Sequence, residues 1–195
     1  MKSTRVLACD PGKTNFGFSV LAVDKRKIEI VRTGILPPEL LVRELNQQTL
    51  SDTILTFQRA FTKLLKASKA DIVVAERYMI QRRGTTGETV NMMLGVMAAT
   101  AGKEIPMQIF MAATWKARLK KVLGVKNLDV LYKQVRTRDG KTFVPDHTID
   151  ATMQGLFFCE RELGLKIERM CRAKTFTSAL SLKYKGEWPK KPAAV

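Results

Sequence analysis

The chain has 195 residues, 45% of them hydrophobic and 27% charged, which suits one domain with a single buried core. It holds no run of about 18 apolar residues, so no membrane span is expected, and residues 1–9 lack the layout of a secretory signal. Lys plus Arg number 34 against 18 Asp plus Glu, a net charge of +16; such an excess implies a polyanionic partner, nucleic acid first and an anionic membrane surface second.

The predicted elements start with residues 4–10 (TRVLACD), an apolar run that ends in Pro11-Gly12. Residues 16–23 and 27–35 follow, and three β-type runs broken by turn residues predict an antiparallel meander. Pro37-Pro38 ends it. Residues 50–68 have helical period, with Ile54, Phe57, Phe61, Leu64 and Leu65 on one face. Residues 71–75 (DIVVA) read as a short buried strand. Residues 85–101 read as a second helix, with Thr85 and Glu88 spaced as a capping box. Residues 105–110 form another strand, followed by two basic helices over 112–122 and 127–137. A last helix runs from Asp146 to about Leu163, and a basic tail follows Lys174. Strands first, then helices alternating with strands, predict a mixed sheet covered on both faces.

Three cysteines, Cys9, Cys159 and Cys171, give neither a disulfide framework nor zinc spacing. A reducing, intracellular compartment is expected, with Cys9 a small buried strand residue.

The acids carry more information. Asp10 closes the first strand, and the VLAC run before it cannot satisfy a buried carboxylate. It is either a solvated turn residue or a group that needs a cation. Glu76 repeats the arrangement at the end of DIVVA. If the two strands lie side by side, both carboxylates leave the same edge, where they raise each other's pKa unless a divalent ion holds them. The third group is Asp146-His147-Thr148-Ile149-Asp150. His147 and Asp150 are three apart and share a helix face with Gln154, while Ile149, Met153, Leu156 and Phe157 point inward. Asp146 reads as a cap or helix-dipole partner. His147, the one histidine in the chain, is a ligand, a proton carrier or a structural residue. An oxygen-rich set of Asp10, Glu76 and Asp150 suits Mg2+ or Mn2+, and two such ions can clamp a phosphodiester.

This order of motifs resembles the RuvC family of Holliday-junction resolvases. The hallmark Asp-Pro-Gly after the first strand stands here as Asp10-Pro11-Gly12, the Glu after the fourth strand as Glu76 in VVAER, and the paired ligands of the last helix as His147-Thr148-Ile149-Asp150-Ala151. Histidine in the first of those last two places is a variant within the family. The resemblance covers roughly residues 4–162. It implies an α/β, RNase H-like fold with a mixed five-stranded sheet flanked by helices, and a homodimer that makes paired, metal-dependent nicks in four-way or other branched DNA. It assigns residues 1–165 to the nuclease domain and leaves residues 166–195 as a basic extension with no assigned role.

Residues 112–142 carry nine basic residues and two acidic ones, too few acids for self-pairing. The family places important lysines in this region, and Lys116 and Lys126 match them. Arg82 and Arg83, in a glycine-bearing loop after Glu76, are candidates for phosphate contact. Tyr78 is placed either to stack on an exposed base or to pack. The helix over 85–101 is apolar almost all round, through Val90, Leu94, Met97 and Ala101 with Met92, Met93 and Val96 beside them. That pattern marks deep burial or a subunit contact. The rival readings are another RNase H-like nuclease acting on RNA–DNA hybrids or flaps, and a non-catalytic nucleic-acid clamp.

Overall fold

A computed structural model describes residues 3–25, 27–43, 46, 48–77, 85–168, 170–171 and 173–189. The meander forms as its alternation and turns require: β1 (Thr4–Pro11), β2 (Phe16–Asp24) and β3 (Lys27–Leu36) pair antiparallel in sequence. Helix α1 (Leu50–Ser68) then carries the chain back to β4 (Ile72–Arg77), which lies parallel to β1. Helix α2 (Thr85–Ala101) leads to β5 (Met107–Met111), parallel to β4. Next come α3 (Ala112–Leu123), a single turn α4 (Asp129–Tyr132), α5 (Asp146–Arg161), α6 (Ala173–Lys183) and β6 (Tyr184–Glu187).

The sheet order is β5-β4-β1-β2-β3-β6, so the expected five-stranded sheet is corrected to six. The extra strand comes from the segment read as a basic extension. There β6 pairs parallel with β3, Thr33 opposite Tyr184 and Ile35 opposite Glu187, and Trp188 N–H donates to Ile35 O at 2.8 Å. Arg32 lies 4.2 Å from the Trp188 ring centroid. Helix α6 buries Phe176 and Leu180 in the same core as α5. A strand of four residues with little apolar alternation carries no period-2 signal, and only the neighbouring β3 edge makes it a strand.

Successive residues of a strand face opposite sides of the sheet, and both sides are covered. Leu7 and Cys9 of β1 meet α1 and α2, in a core with Phe57, Phe61, Met93 and Met97. Val6 and Ala8 meet α3, α5 and α6, in a core with Trp115, Leu119, Ile149 and Met153. A strand buried on both faces reads as continuously apolar, which is why VLAC showed no alternation. Helix α5 can lie this close to the sheet because of two glycines. A Cβ on Gly17 would stand 2.1 Å from the His147 carbonyl carbon, and one on Gly155 would stand 2.6 Å from Leu21 Cδ1.

The second basic helix, expected over 127–137, is corrected: it stops after one turn at Tyr132. Val135, Thr137 and Thr142 are β-branched and favour extended backbone, and Gly140 takes the left-handed conformation at φ 69°. The chain forms a small hairpin instead, with Arg136 opposite Phe143. The Thr85–Glu88 capping box rests on a side chain outside the described residues.

Candidate active site

Parity along the strands aims the acids. Asp10 continues the Val6–Ala8 face of β1, and Glu76 continues the Val74 face of β4, so both point towards α5. The pairing of Cys9 with Ala75, continued by one residue, sets Asp10 beside Glu76. Helix α5 crosses above them with His147, Asp150 and Gln154 one turn apart on its sheet-facing side. Asp10 is 5% exposed, Asp150 8% and Gln154 not at all. These side chains are held in the protein rather than solvated in a turn.

Each acid has specific partners. Asp10 Oδ2 lies 2.5 Å from His147 Nδ1. Asp150 accepts from the Tyr132 hydroxyl at 2.5 Å on Oδ1 and pairs with Lys116 Nζ at 3.1 Å on Oδ2. Glu76 Oε2 accepts from the Trp115 indole N–H at 3.1 Å and from Gln154 Nε2 at 3.4 Å. Lys116 Nζ also sits 4.9 Å from the Trp115 ring centroid. Asp146 is exposed in the first turn of α5, and Pro145 rather than Asp146 holds the cap position, with no side-chain cap bond. Its carboxylate therefore favours the positive helix end without capping it.

The electrostatics follow from crowding three carboxylates out of water. Burial first, and then the charge of Asp10, push Glu76 up to about 7 against the pull of Lys116. Burial and Asp10 likewise push Asp150 up to about 6, although Lys116 and Tyr132 favour its charged form. For His147, burial opposes the charge, but the hydrogen bond and charge of Asp10 outweigh it and raise the imidazole above its usual value. Lys116 behaves the same way: burial opposes its ammonium, and Asp150 more than compensates. Burial and the neighbouring Asp150 raise the Tyr132 phenol.

Among the described residues no three His, Cys, Asp or Glu side chains stand together as a ready-made metal cage. The acids are instead paired with His147, Lys116, Tyr132, Trp115 and Gln154. The donor set itself is oxygen-rich and excess in negative charge, as hard divalent ions require. Holding an ion would have Asp150 exchange Lys116 for it, while Asp10 keeps His147 on Oδ2 and offers Oδ1.

The structure thus brings together Asp10, Glu76, His147, Asp150 and Lys116. Lys126 is exposed at the bend between α3 and α4 and makes no described contact with the acids. Tyr78, Arg82 and Arg83 lie outside the described residues. Sequence reasoning missed Tyr132 and the roles of Trp115 and Gln154. Trp115 could have been found, since a buried indole N–H must find an acceptor. Tyr132 could not, because it lies on the turn that was expected to be a long helix.

A mixed sheet of this order, with acids at the ends of its central parallel strands and on the helix that crosses them, defines an RNase H-like α/β protein. The comparisons agree. No family profile matches the chain. The crossover junction endodeoxyribonuclease RuvC of Paenarthrobacter aurescens (strain TC1) is 29% identical over 133 residues, 67% of this chain and 67% of that protein. Among solved structures, Thermus thermophilus RuvC in complex with a Holliday junction substrate superposes with a TM-score of 0.57 at 16% identity, over 83% of this chain and 96% of that one. The yeast mitochondrial Holliday junction resolvase Ydc2 gives 0.53 at 16% identity, over 93% and 85%. In sequence and in fold the chain is RuvC-like.

Proposed function

We propose that the chain is a Holliday-junction resolvase, an endonuclease that hydrolyses phosphodiester bonds in four-way or other branched DNA. The observation that carries this reading is the convergence of Asp10, Glu76, Asp150 and His147 from β1, β4 and α5 onto one edge of an RNase H-like sheet. The RuvC relative and the RuvC-type neighbours support the same reaction and substrate.

Asp10, Glu76, Asp150 and His147 would hold Mg2+ or Mn2+, two ions per site. Bound there, such ions supply the Lewis acidity that activates water and stabilises the leaving oxygen. The chain's own groups do the rest. Asp10 takes the Nδ1–H of His147, which leaves Nε2 as a further ligand or as the atom that exchanges a proton with the attacking water. The neutral donors Trp115 and Gln154 fix the orientation of Glu76 without neutralising it. Lys116, released from Asp150, is placed to neutralise charge developing on the scissile phosphate. Lys126, Arg82, Arg83 and Tyr78 are the proposed DNA contacts.

A homodimer would present two such sites to the two strands of a junction with similar symmetry. Helix α2 is the proposed contact. Val90, Met93, Leu94 and Met97 face the core, while Gly95, Ala98 and Ala99 are exposed and Met92 and Val96 half-buried. Sedimentation at micromolar concentration tests the dimer; a strict monomer with and without junction DNA rejects it.

The activity test sets an immobile four-way junction, a linear duplex and an RNA–DNA hybrid beside each other, with and without Mg2+ or Mn2+. Symmetric, metal-dependent nicks in the junction, lost in Asp10→Asn, are expected. Equal cutting of the hybrid would turn the reading to a general RNase H-like nuclease, and tight binding without cutting would turn it to a clamp.

A further inference from the structure

A pocket of about 420 Å3 lies beside the acidic edge, lined by Asp129, Tyr132, Lys133, Phe143 and Asp146. Its volume falls within the roughly 300–1,000 Å3 of small-ligand sites. Tyr132 joins it to the acids, because the hydroxyl of that same side chain donates to Asp150. Asp146 joins it to α5, where it precedes His147.

Phe143, which is 49% exposed, also lines the pocket. Phe143 is carried on the hairpin between α4 and α5, and that hairpin is built to hold its shape. Thr137 N–H donates to Thr142 O at 2.8 Å and Val144 N–H to Val135 O at 2.9 Å. Lys141 N–H donates to Asp139 Oδ1 at 2.9 Å across the turn. Val135 and Val144 are fully buried at its base. The Arg136 guanidinium lies over the Phe143 ring, 4.3 Å from its centroid. An aromatic ring is thus kept near solvent on an ordered scaffold.

The chemistry of the lining selects the guest. Asp129 and Asp146 are balanced by Lys133 and by the Arg136 guanidinium at the Phe143 ring, so the pocket offers carboxylate acceptors and an aromatic face without a net charge. A flat, neutral group with N–H donors would be accepted. Asn127 Nδ2 donates to Asp129 Oδ2 at 2.6 Å, which orients that carboxylate and leaves Oδ1 as an acceptor. Aromatic rings stack on any base, and a carboxylate accepts from an exocyclic amine such as that of cytosine.

We infer that this pocket receives an unpaired nucleobase bearing an exocyclic amine, as cytosine and adenine do, from the branch point of the DNA. Phe143 stacks on the base and Asp129 accepts its amine. The inference rests on the nuclease reading, since that reading brings branched DNA to the adjacent acids, and it makes the pocket a determinant of which branch points are held for cutting.

Binding without cutting tests it. Branched DNA with one unpaired cytosine, adenine or thymine at the branch point is titrated with the full chain in EDTA, with fluorescence anisotropy as the readout. Wild type binds the cytosine and adenine forms about tenfold more tightly than the thymine form. Phe143→Ala weakens all three about tenfold, Phe143→Trp retains wild-type affinity, and Asp129→Asn levels the three bases. Wild-type affinities that are equal for the three bases, or a Phe143→Ala affinity unchanged from wild type, overturn the pocket. Junction cleavage is scored separately. Cleavage with no base preference rejects the pocket alone, whereas base preference with no cleavage under Mg2+ or Mn2+ rejects the nuclease reading and keeps the pocket.

Discussion

The Asp10–His147 contact can be tested in isolation, because His147 is the one histidine in the chain and gives a single imidazole titration by NMR. Burial pulls its pKa down and Asp10 lifts it. In metal-free Asp10→Asn the hydrogen bond and charge of Asp10 are gone, while burial and the weaker lift from Asp150 and Asp146 remain, so the titration midpoint is expected to fall below that of wild type. An unchanged midpoint would show that Asp10 does not govern the imidazole. Glu76 gives a stability prediction. Its folded value of about 7 lies above the usual 4.5, so the folded chain holds a proton there that the unfolded chain releases between those values. Its contribution is full below about pH 4.5 and is lost as pH rises through about 7. Glu76→Gln should therefore raise the urea midpoint of the metal-free protein at pH 8 and not at pH 4, while cleavage is lost. The ligand acids were legible in the sequence because a carboxylate ending an apolar run has no partner within that run. Their present partners were not, since Tyr132, Lys116 and Trp115 reach them across the fold.

Element boundaries were most legible where tertiary context matters least. Helices α1 and α2 occupy the residues their period predicted, 50–68 and 85–101. The failures, α4 and β6, are short pieces whose state is set by neighbours, a hairpin in one case and the edge of β3 in the other. The seating of α5 on the sheet was also hidden, although Gly17 is what permits it. A Cβ there would meet backbone atoms of His147 and Thr148 at 2.1–2.5 Å, and backbone cannot rotate aside as a side chain can. Gly17→Ala is expected to push the first turn of α5 off β2 and cut junction cleavage at least tenfold. The basic residues would stay in place, so DNA binding in EDTA should persist. Loss of both together would mean that the substitution unfolds the chain.

At the scale of the whole molecule, 34 basic residues against 18 acidic ones dominate any encounter with DNA. Affinity for a plain duplex should fall steeply with salt, as counterions are released with each phosphate neutralised. Lys116→Ala is expected to lower the slope of log affinity against log salt by about 1. An unchanged slope would leave Lys116 bound to Asp150 even when DNA is present. Fold class was readable at this scale because the strand-rich start and the alternating remainder permit few mixed sheets, and the three acids chose among them.

The pairing of Thr33 with Tyr184 also sets a timetable. During synthesis the meander and its following helices leave the ribosome well before the segment that covers the outer side of β3. Until Tyr184 has emerged, β3 offers a row of unmatched N–H and C=O groups to any passing strand. The nascent chain therefore passes through a long interval as an open template, when mispairing with a sister chain competes with completion. Chains interrupted anywhere in α6 would carry that exposed border permanently.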